Sequence, residues 1–167
     1  MDRSKSISLL NHAIADELQA VHQYMFFHLH LADQGLMPLS NLFKRTAIEE
    51  MMHVERLAER VLFLKGVVAM SASAAVEQIT EPTAMLKQAM AMEEGSQNDY
   101  NGAAIACGAN ADAITKGLFE ALTGDEERHF AQYEKQFDHI ERFGLSYLAL
   151  NSFGSAPEAG SGGQSQP

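Results

Sequence analysis

Two stretches of this chain repeat one chemical pattern. Glu17 is followed 33 residues later by Glu50, and Glu93 is followed at the same distance by Glu126. Each second glutamate opens a Glu-x-x-His step, giving Glu50-Met51-Met52-His53 and Glu126-Glu127-Arg128-His129. Each first glutamate is followed seven residues later by a tyrosine, Tyr24 or Tyr100. On a helix, residues three apart share one face, so each Glu-x-x-His presents its carboxylate and imidazole side by side. Four carboxylates and two imidazoles brought together could hold two divalent metal ions, whose charge offsets that of the four glutamates. Ionised glutamates inside an apolar core are costly unless paired or bound to a cation. Hard carboxylates with some imidazole suit iron or manganese better than zinc, which prefers fewer ligands and more nitrogen or sulfur. The residues alone leave iron and manganese both open.

Elements that can position such a set are legible from hydrophobic spacing. A first helix, roughly 6–32, carries Leu10, Ile14, Glu17, Val21, Tyr24, His28 and Leu31 on one face. Gly35 to Pro38 breaks it, and Pro38 suits the start of the second helix. That helix runs to about Lys65 with Phe43, Glu50, His53, Leu57 and Leu64 inward, and Gly66 is expected to stop it. Residues 67–82 are small and weakly periodic and read as a long crossover. The third helix extends to about Cys107 with Leu86, Met90, Glu93, Tyr100 and Ala104 aligned. The fourth extends to about Phe143 with Phe119, Leu122, Glu126, His129, Tyr133 and Ile140 aligned. A short fifth helix is expected over 145–153. Short turn, long crossover and short turn together specify an all-α four-helix bundle with one long connection. The bundle occupies 1–153; the Gly, Ser, Pro and Gln of 154–167 read as a disordered tail.

Composition narrows the function. A net charge of −10 argues against nucleic acid, which needs a basic face. No apolar run approaches the roughly 20 residues that cross a bilayer, and the first residues lack the apolar core of a signal peptide, so a cytoplasmic location is expected. The single Cys107 excludes an intrachain disulfide framework and a Cys-x-x-Cys metal site; on an apolar stripe it reads as a buried small hydrophobe.

Tyr24 and Tyr100 are candidates to bond ligand carboxylates or act as redox-active phenols, with core packing the alternative for Tyr100. Met51 adjoins Glu50 and so points about 100° away from it, out of the bundle. The outer face around it reads Ala47, Met51, Val54, Ala58 and Val61. The first helix has a second apolar stripe, Leu18, Met25, Phe26 and Leu29. A helix pair apolar on two sides calls for a partner, here a homodimer. By spacing alone Met51 is a packing residue of that interface.

The stretches Glu17-Leu18-Gln19-Ala20-Val21-His22-Gln23-Tyr24, Ile48-Glu49-Glu50-Met51-Met52-His53, 58–66 and Asp125-Glu126-Glu127-Arg128-His129 resemble those of the bacterioferritins. The resemblance covers all but the tail and implies a ferritin-like di-iron bundle. Its function would be ferroxidase and iron storage: two Fe per subunit oxidised by O2 or H2O2, and ferric mineral kept in a shell of 24 subunits built of dimers. Glu50 and Glu126 would bridge the two irons, with Glu17, Glu93, His53 and His129 as terminal ligands. The resemblance also implies a haem b shared between two subunits through one methionine from each, which Met51 matches. Electrons for iron release would come from an external, ferredoxin-type reductase. Two departures stand out. Arg45 occupies the position of a cavity-side histidine found in some members, and a tryptophan one turn beyond the helix-four histidine is replaced by Gln132 or Tyr133. The rival readings are a non-storage di-metal redox enzyme (a manganese catalase, peroxidase or oxygenase), a haem-binding or structural cage with an idle metal site, and a DNA-protecting mini-ferritin.

Overall fold

The computed structural model describes residues 1–154, which form five helices: α1 (Arg3–Asp33), α2 (Met37–Phe63), α3 (Pro82–Ala109), α4 (Ala113–Phe143) and α5 (Ser146–Gly154). The expected order is borne out, with α1 paired to α2 and α3 paired to α4. The fifth helix runs one residue further than the spacing suggested, through Gly154; the rest of the expected tail, 155–167, lies outside the described residues.

Local chemistry explains the helix ends. Asp2 caps α1 by accepting from the Ser4 amide. Glu81 caps α3 through both carboxylate oxygens, accepting from the Thr83 amide at 2.9 Å and the Ala84 amide at 2.6 Å, with Pro82 filling the first turn. Asp112 caps α4 and also accepts from Arg60 of α2 at 2.7 Å, tying the two helix pairs together while buried. The end of α2 departs from expectation. Lys65, not Gly66, takes the left-handed conformation (φ 67°), and the Gly66 amide bonds back to the Val61 carbonyl. Gly66 is needed for a different reason: a Cβ there would lie 2.9 Å from Ile7 Cδ1 and Cγ2.

The crossover lies along α1 from its N-terminal to its C-terminal half. Asn11 bonds the backbone of Val67 and Ala69, Ser73 donates to the Ala15 carbonyl, Gln23 bonds both backbone groups of Glu77, and Gln34 donates to the Thr80 carbonyl. This path delivers the chain to the far end of the bundle, so α3 runs in the same direction as α2 and packs beside α1 and α4. It also accounts for the burial of Gln23, whose amide is consumed by the crossover.

The core falls into two apolar clusters. One gathers Tyr24, Phe27, Leu31, Phe43, Met85, Leu86 and Tyr133; the other gathers Leu10, Ile14, Leu57, Cys107, Phe119 and Leu122. Glu17 lies between Ile14 of one and Ala20 of the other, so the polar set interrupts an otherwise continuous core. Three residues assigned to the outer face, Ala47, Val54 and Val61, are buried inside the bundle at 2%, 6% and 0% exposure. Positions 43, 47, 50, 54, 57, 61 and 64 step by four and three, and together form the inward stripe of α2. Of that expected outer face Met51 is 52% exposed, and its exposed apolar neighbours are Ile48 and Met52. Val21, His28 and Met90, expected inward, are only half-buried; His28 instead bonds Ser40 across the α1–α2 turn at 2.8 Å.

Gly66→Ala is expected to lower unfolding stability by about 1–3 kcal/mol through overpacking. Pairing it with Ile7→Ala removes the clash. Thermal or urea unfolding of the two single variants and the double variant reads this as non-additivity; additive losses would show that Ile7 yields without cost.

Candidate metal centre

All six residues singled out by spacing converge at mid-bundle, each from near the middle of its helix. Glu17, Glu50, His53, Glu93, Glu126 and His129 are between 1% and 3% exposed. Their ligand-type atoms form two groups, Glu17, Glu50, His53 and Glu126, then Glu50, Glu93, Glu126 and His129, each within 4.8 Å of one another. Glu50 and Glu126 belong to both. Two four-residue sets sharing two carboxylates is the geometry of a dinuclear centre with two bridges. The imidazoles of His53 and His129 stack across it, ring centroids 5.9 Å apart.

One contact inside the cluster, His129 Nδ1 to Glu126 Oε2 at 3.3 Å, has hydrogen-bond geometry; those of His53 are short without it. His53 Nδ1 lies 2.9 Å from Glu50 Oε2 and 3.2 Å from both Glu17 Oε1 and Glu126 Oε1. It nevertheless has no partner in hydrogen-bond geometry, nor do both oxygens of Glu50 and Oε1 of Glu126. Buried polar atoms are almost always satisfied. Lone pairs crowded together and aimed past one another at a common centre are what a cation requires, so the residues present fit a pair of divalent ions.

The surrounding hydrogen bonds repeat the internal symmetry. Tyr24 of α1 donates to Glu93 of α3 at 2.6 Å, and Tyr100 of α3 donates to Glu17 of α1 at 2.5 Å. Each tyrosine therefore orients the glutamate of the opposite pair, and packing alone does not describe Tyr100. Burial first, then the facing carboxylates, holds both phenols well above their ordinary pKa, so they remain donors. Two further carboxylates were not singled out from the sequence. Glu49 Oε2 lies 2.9 Å from His129 Nε2, and Asp125 Oδ2 lies 3.3 Å from His53 Nε2. The residue before each inner glutamate thus holds the outer nitrogen of the histidine on the other pair. Arg128 bridges Glu49 at 2.8 Å and Asp125 at 3.1 Å, and Arg56 adds a contact to Asp125 at 3.3 Å. An acid immediately before each Glu-x-x-His was visible; its partner was not, because that depends on the register between helix pairs.

Protons are held here in competition with cations. Burial disfavours a charged imidazole, yet Glu126, Glu17 and Glu50 outweigh it and push His53 up to about 12. His129 is raised in the same way by Glu126, Glu50 and Glu93. Glu126 would be raised by burial, but His129 and His53 bring it down to about 2. Burial, reinforced by the charge of Glu50, holds Glu17 and Glu93 well above the carboxylate range.

The ferritin-like domain family matches residues 7–143. A bacterioferritin of Desulfovibrio desulfuricans is 33% identical over 147 residues, covering 88% of this chain and 82% of that protein. One from Rhodobacter capsulatus is 31% identical over 147 residues, covering 88% and 91%. The chain belongs to the bacterioferritin family. Among solved structures, a Desulfovibrio desulfuricans bacterioferritin, described for its diiron site in different catalytic states, superposes with a TM-score of 0.88 at 30% identity, covering 99% of this chain and 95% of that one. The Rhodobacter capsulatus bacterioferritin, described with a metal-free dinuclear site and its haem iron in a crystallographic special position, gives 0.87 at 30% identity, covering 95% and 98%. The expected fold and family are therefore correct.

The two departures are also located. Arg45 and Gln132 line one open pocket of about 400 Å³ with Glu49, on the side of the centre where Glu49 meets His129. Tyr133 instead lies fully buried against Phe43 and Tyr24, with centroids 4.9 and 5.6 Å away. The pocket side therefore carries Gln132 and the core carries Tyr133.

Two outcomes test this geometry. Loading the centre with divalent cations should expel protons from the imidazoles, so affinity should rise between about pH 6 and about pH 8; pH-independent binding would contradict the proton competition. Glu49→Gln and Asp125→Asn should each weaken cation binding about 10–100-fold, as removal of a ligand's outer partner typically does. Calorimetric titration reads both.

Proposed function

We propose that this chain is a ferroxidase and iron-storage subunit. It oxidises Fe(II) in pairs at the mid-bundle centre and keeps the Fe(III) as mineral inside a 24-subunit shell built of dimers. The observation that carries the reading is the pair of four-residue clusters sharing Glu50 and Glu126, together with the family to which the chain belongs. Glu50 and Glu126 bridge the substrate ions, Glu17 and His53 complete one position, and Glu93 and His129 complete the other. The donors themselves suit iron and manganese alike; iron is preferred in this reading because the related Desulfovibrio desulfuricans structure is described by its diiron site.

Residue chemistry then follows the substrate. His53 and His129 give up their protons as Fe(II) enters, which turns them from charge partners of the glutamates into ligands. Each Fe(II) yields one electron. O2 that takes two electrons and two protons leaves as H2O2; H2O2 that takes two electrons and two protons leaves as two waters. Tyr24 and Tyr100 hold Glu93 and Glu17 in orientation at 2.6 and 2.5 Å, and Tyr24 is assigned the role of proton or electron donor in this reading. Glu49 and Asp125 keep the imidazoles aligned. With no residue of the set missing, a structural cage with an idle site has nothing to recommend it.

Haem is assigned to Met51. The Rhodobacter capsulatus relative is described with its haem iron in a special position, and Met51 stands exposed on an apolar face with Ile48, Met52 and Leu29 exposed and Phe26 and Met25 half-buried. Met51 from each of two subunits would hold a haem b between them, and the haem would supply one-electron transfer. A ferredoxin-type reductase is the electron donor in this reading. The setting is cytoplasmic in this reading; among the described residues no helix is long and apolar enough to cross a membrane, and a net charge of −10 disfavours nucleic acid as a partner.

Glu50→Ala and His53→Ala are each expected to abolish rapid Fe(II) oxidation while assembly persists, and wild-type rates at limiting iron would refute the assignment. Met51→Ala should yield haem-free protein that still dimerises and still oxidises Fe(II), whereas Met52→Ala keeps its haem. Visible spectra of the purified variants decide it: haem lost from Met52→Ala but retained in Met51→Ala would shift the register by one residue.

A further inference from the structure

The pocket beside Glu49 is walled by hydrogen-bond donors that the protein itself leaves unused. Arg45 of α2 and Gln132, Lys135 and Gln136 of α4 line this one hollow of about 400 Å³. Neither Arg45 nor Lys135 makes an ion pair or a hydrogen bond among the described residues. Glu49 is the one acid in the wall, and it is already engaged by Arg128 at 2.8 Å and His129 at 2.9 Å. The amides add a second, independent observation. The Tyr147 hydroxyl, 2.9 Å from His139 Nδ1, donates to Gln136 Oε1 at 3.4 Å. That bond occupies the oxygen end of Gln136 and leaves its NH2 without a protein partner. Gln132, also half-buried, makes no hydrogen bond among the described residues. A chain with a net charge of −10 has thus placed two uncompensated cations and two unpaired amides around a single cavity. Polar groups drawn part-way out of water are costly unless something bonds them, and positive walls concentrate anions.

We propose that Arg45, Lys135 and the amides of Gln132 and Gln136 form a binding site for inorganic phosphate beside the mid-bundle centre, and that the bound oxyanion eases the departure of Fe(III) past Glu49. A guanidinium bonds two phosphate oxygens at once, and an ammonium adds a point charge. The donors come from two helices, so a tetrahedral ion with oxygens on every side can be met by both. A carboxylate presents its two oxygens to one side only. The position gives the site its use. Glu49 lines the pocket and holds the outer nitrogen of His129, so the hollow adjoins one of the two metal positions. A ferric ion moving out on this side would meet the bare charges of Arg45 and Lys135. A phosphate seated between them offsets both charges and offers Fe(III) hard oxygen donors. The exit role rests on the ferroxidase reading; the binding site does not.

Calorimetric titration of the metal-free full chain with inorganic phosphate, at constant ionic strength, tests the site. Wild type should bind one phosphate per chain. Arg45→Ala/Lys135→Ala should weaken it by about tenfold or more, as loss of charge-assisted bonds does, and Gln136→Leu should weaken it severalfold. Lys44→Ala, which removes a charge next to Arg45 but outside the pocket wall, should bind as wild type does. Equal affinity in wild type and Arg45→Ala/Lys135→Ala would overturn the site. An equal loss in Lys44→Ala would do the same, since it would mark a diffuse effect of surface charge. Glycerol 2-phosphate binding as tightly as phosphate would assign the pocket to phosphate esters and overturn the free ion as its ligand. For the exit role, Fe(II) is added to the protein in successive pulses with phosphate present. Wild type and Arg45→Ala/Lys135→Ala should oxidise the first pulse at the same rate, and the variant should oxidise later pulses several times more slowly. Equal rates at the later pulses would overturn that role. If wild type oxidised no pulse rapidly, the ferroxidase reading would fall while the phosphate titration of metal-free protein continued to judge the site.

Discussion

Four glutamates, all within 3% of complete burial, face one another in the middle of an apolar bundle. Placing that much like charge in a region of low polarity is more costly than any single packing contact can repay. The fold answers with two imidazoles between the carboxylates, two tyrosine donors behind them, and protons held where Glu17 and Glu93 are pushed upward. Each of those answers gives way to a divalent cation, which neutralises two carboxylates at once. A site that stores its charge imbalance as removable protons is stable as folded protein and still open to metal.

The repeat of the helix pair sets how the centre is built. Every ligand-type residue in one pair has a counterpart in the other, and the supporting bonds cross between pairs: Tyr24 to Glu93, Tyr100 to Glu17, Glu49 to His129, Asp125 to His53. No half is complete alone. Arg128, bonded to both Glu49 and Asp125, links the two outer arms. The crossover must carry the chain from one end of the bundle to the other for this exchange to occur, and Asn11, Gln23 and Gln34 hold it to α1 along the way.

The six central residues and the helix order were legible because each stands in an apolar stripe at helical spacing, and an interval of 33 residues duplicated with its flanking residue types rarely arises by chance. The face of Ala47, Val54 and Val61 was misassigned because small residues suit a tight helix seam as well as an outer interface. Their steps of four and three from Phe43, Glu50 and Leu57 carried the correct answer. The partners of Glu49 and Asp125 could not be read, since they depend on the vertical register of one helix pair against the other. The role of Gly66 was hidden for a similar reason: Ile7, which forbids a side chain there, is 59 positions away in sequence.

The most direct test of a dinuclear centre is anomalous diffraction from crystals soaked anaerobically in Fe(II). Two iron peaks per chain are predicted at mid-bundle, about 3.5–4 Å apart as bridged metal pairs are, with Glu50 and Glu126 reaching both. A single central peak, or iron bound only away from these six residues, would contradict a dinuclear centre.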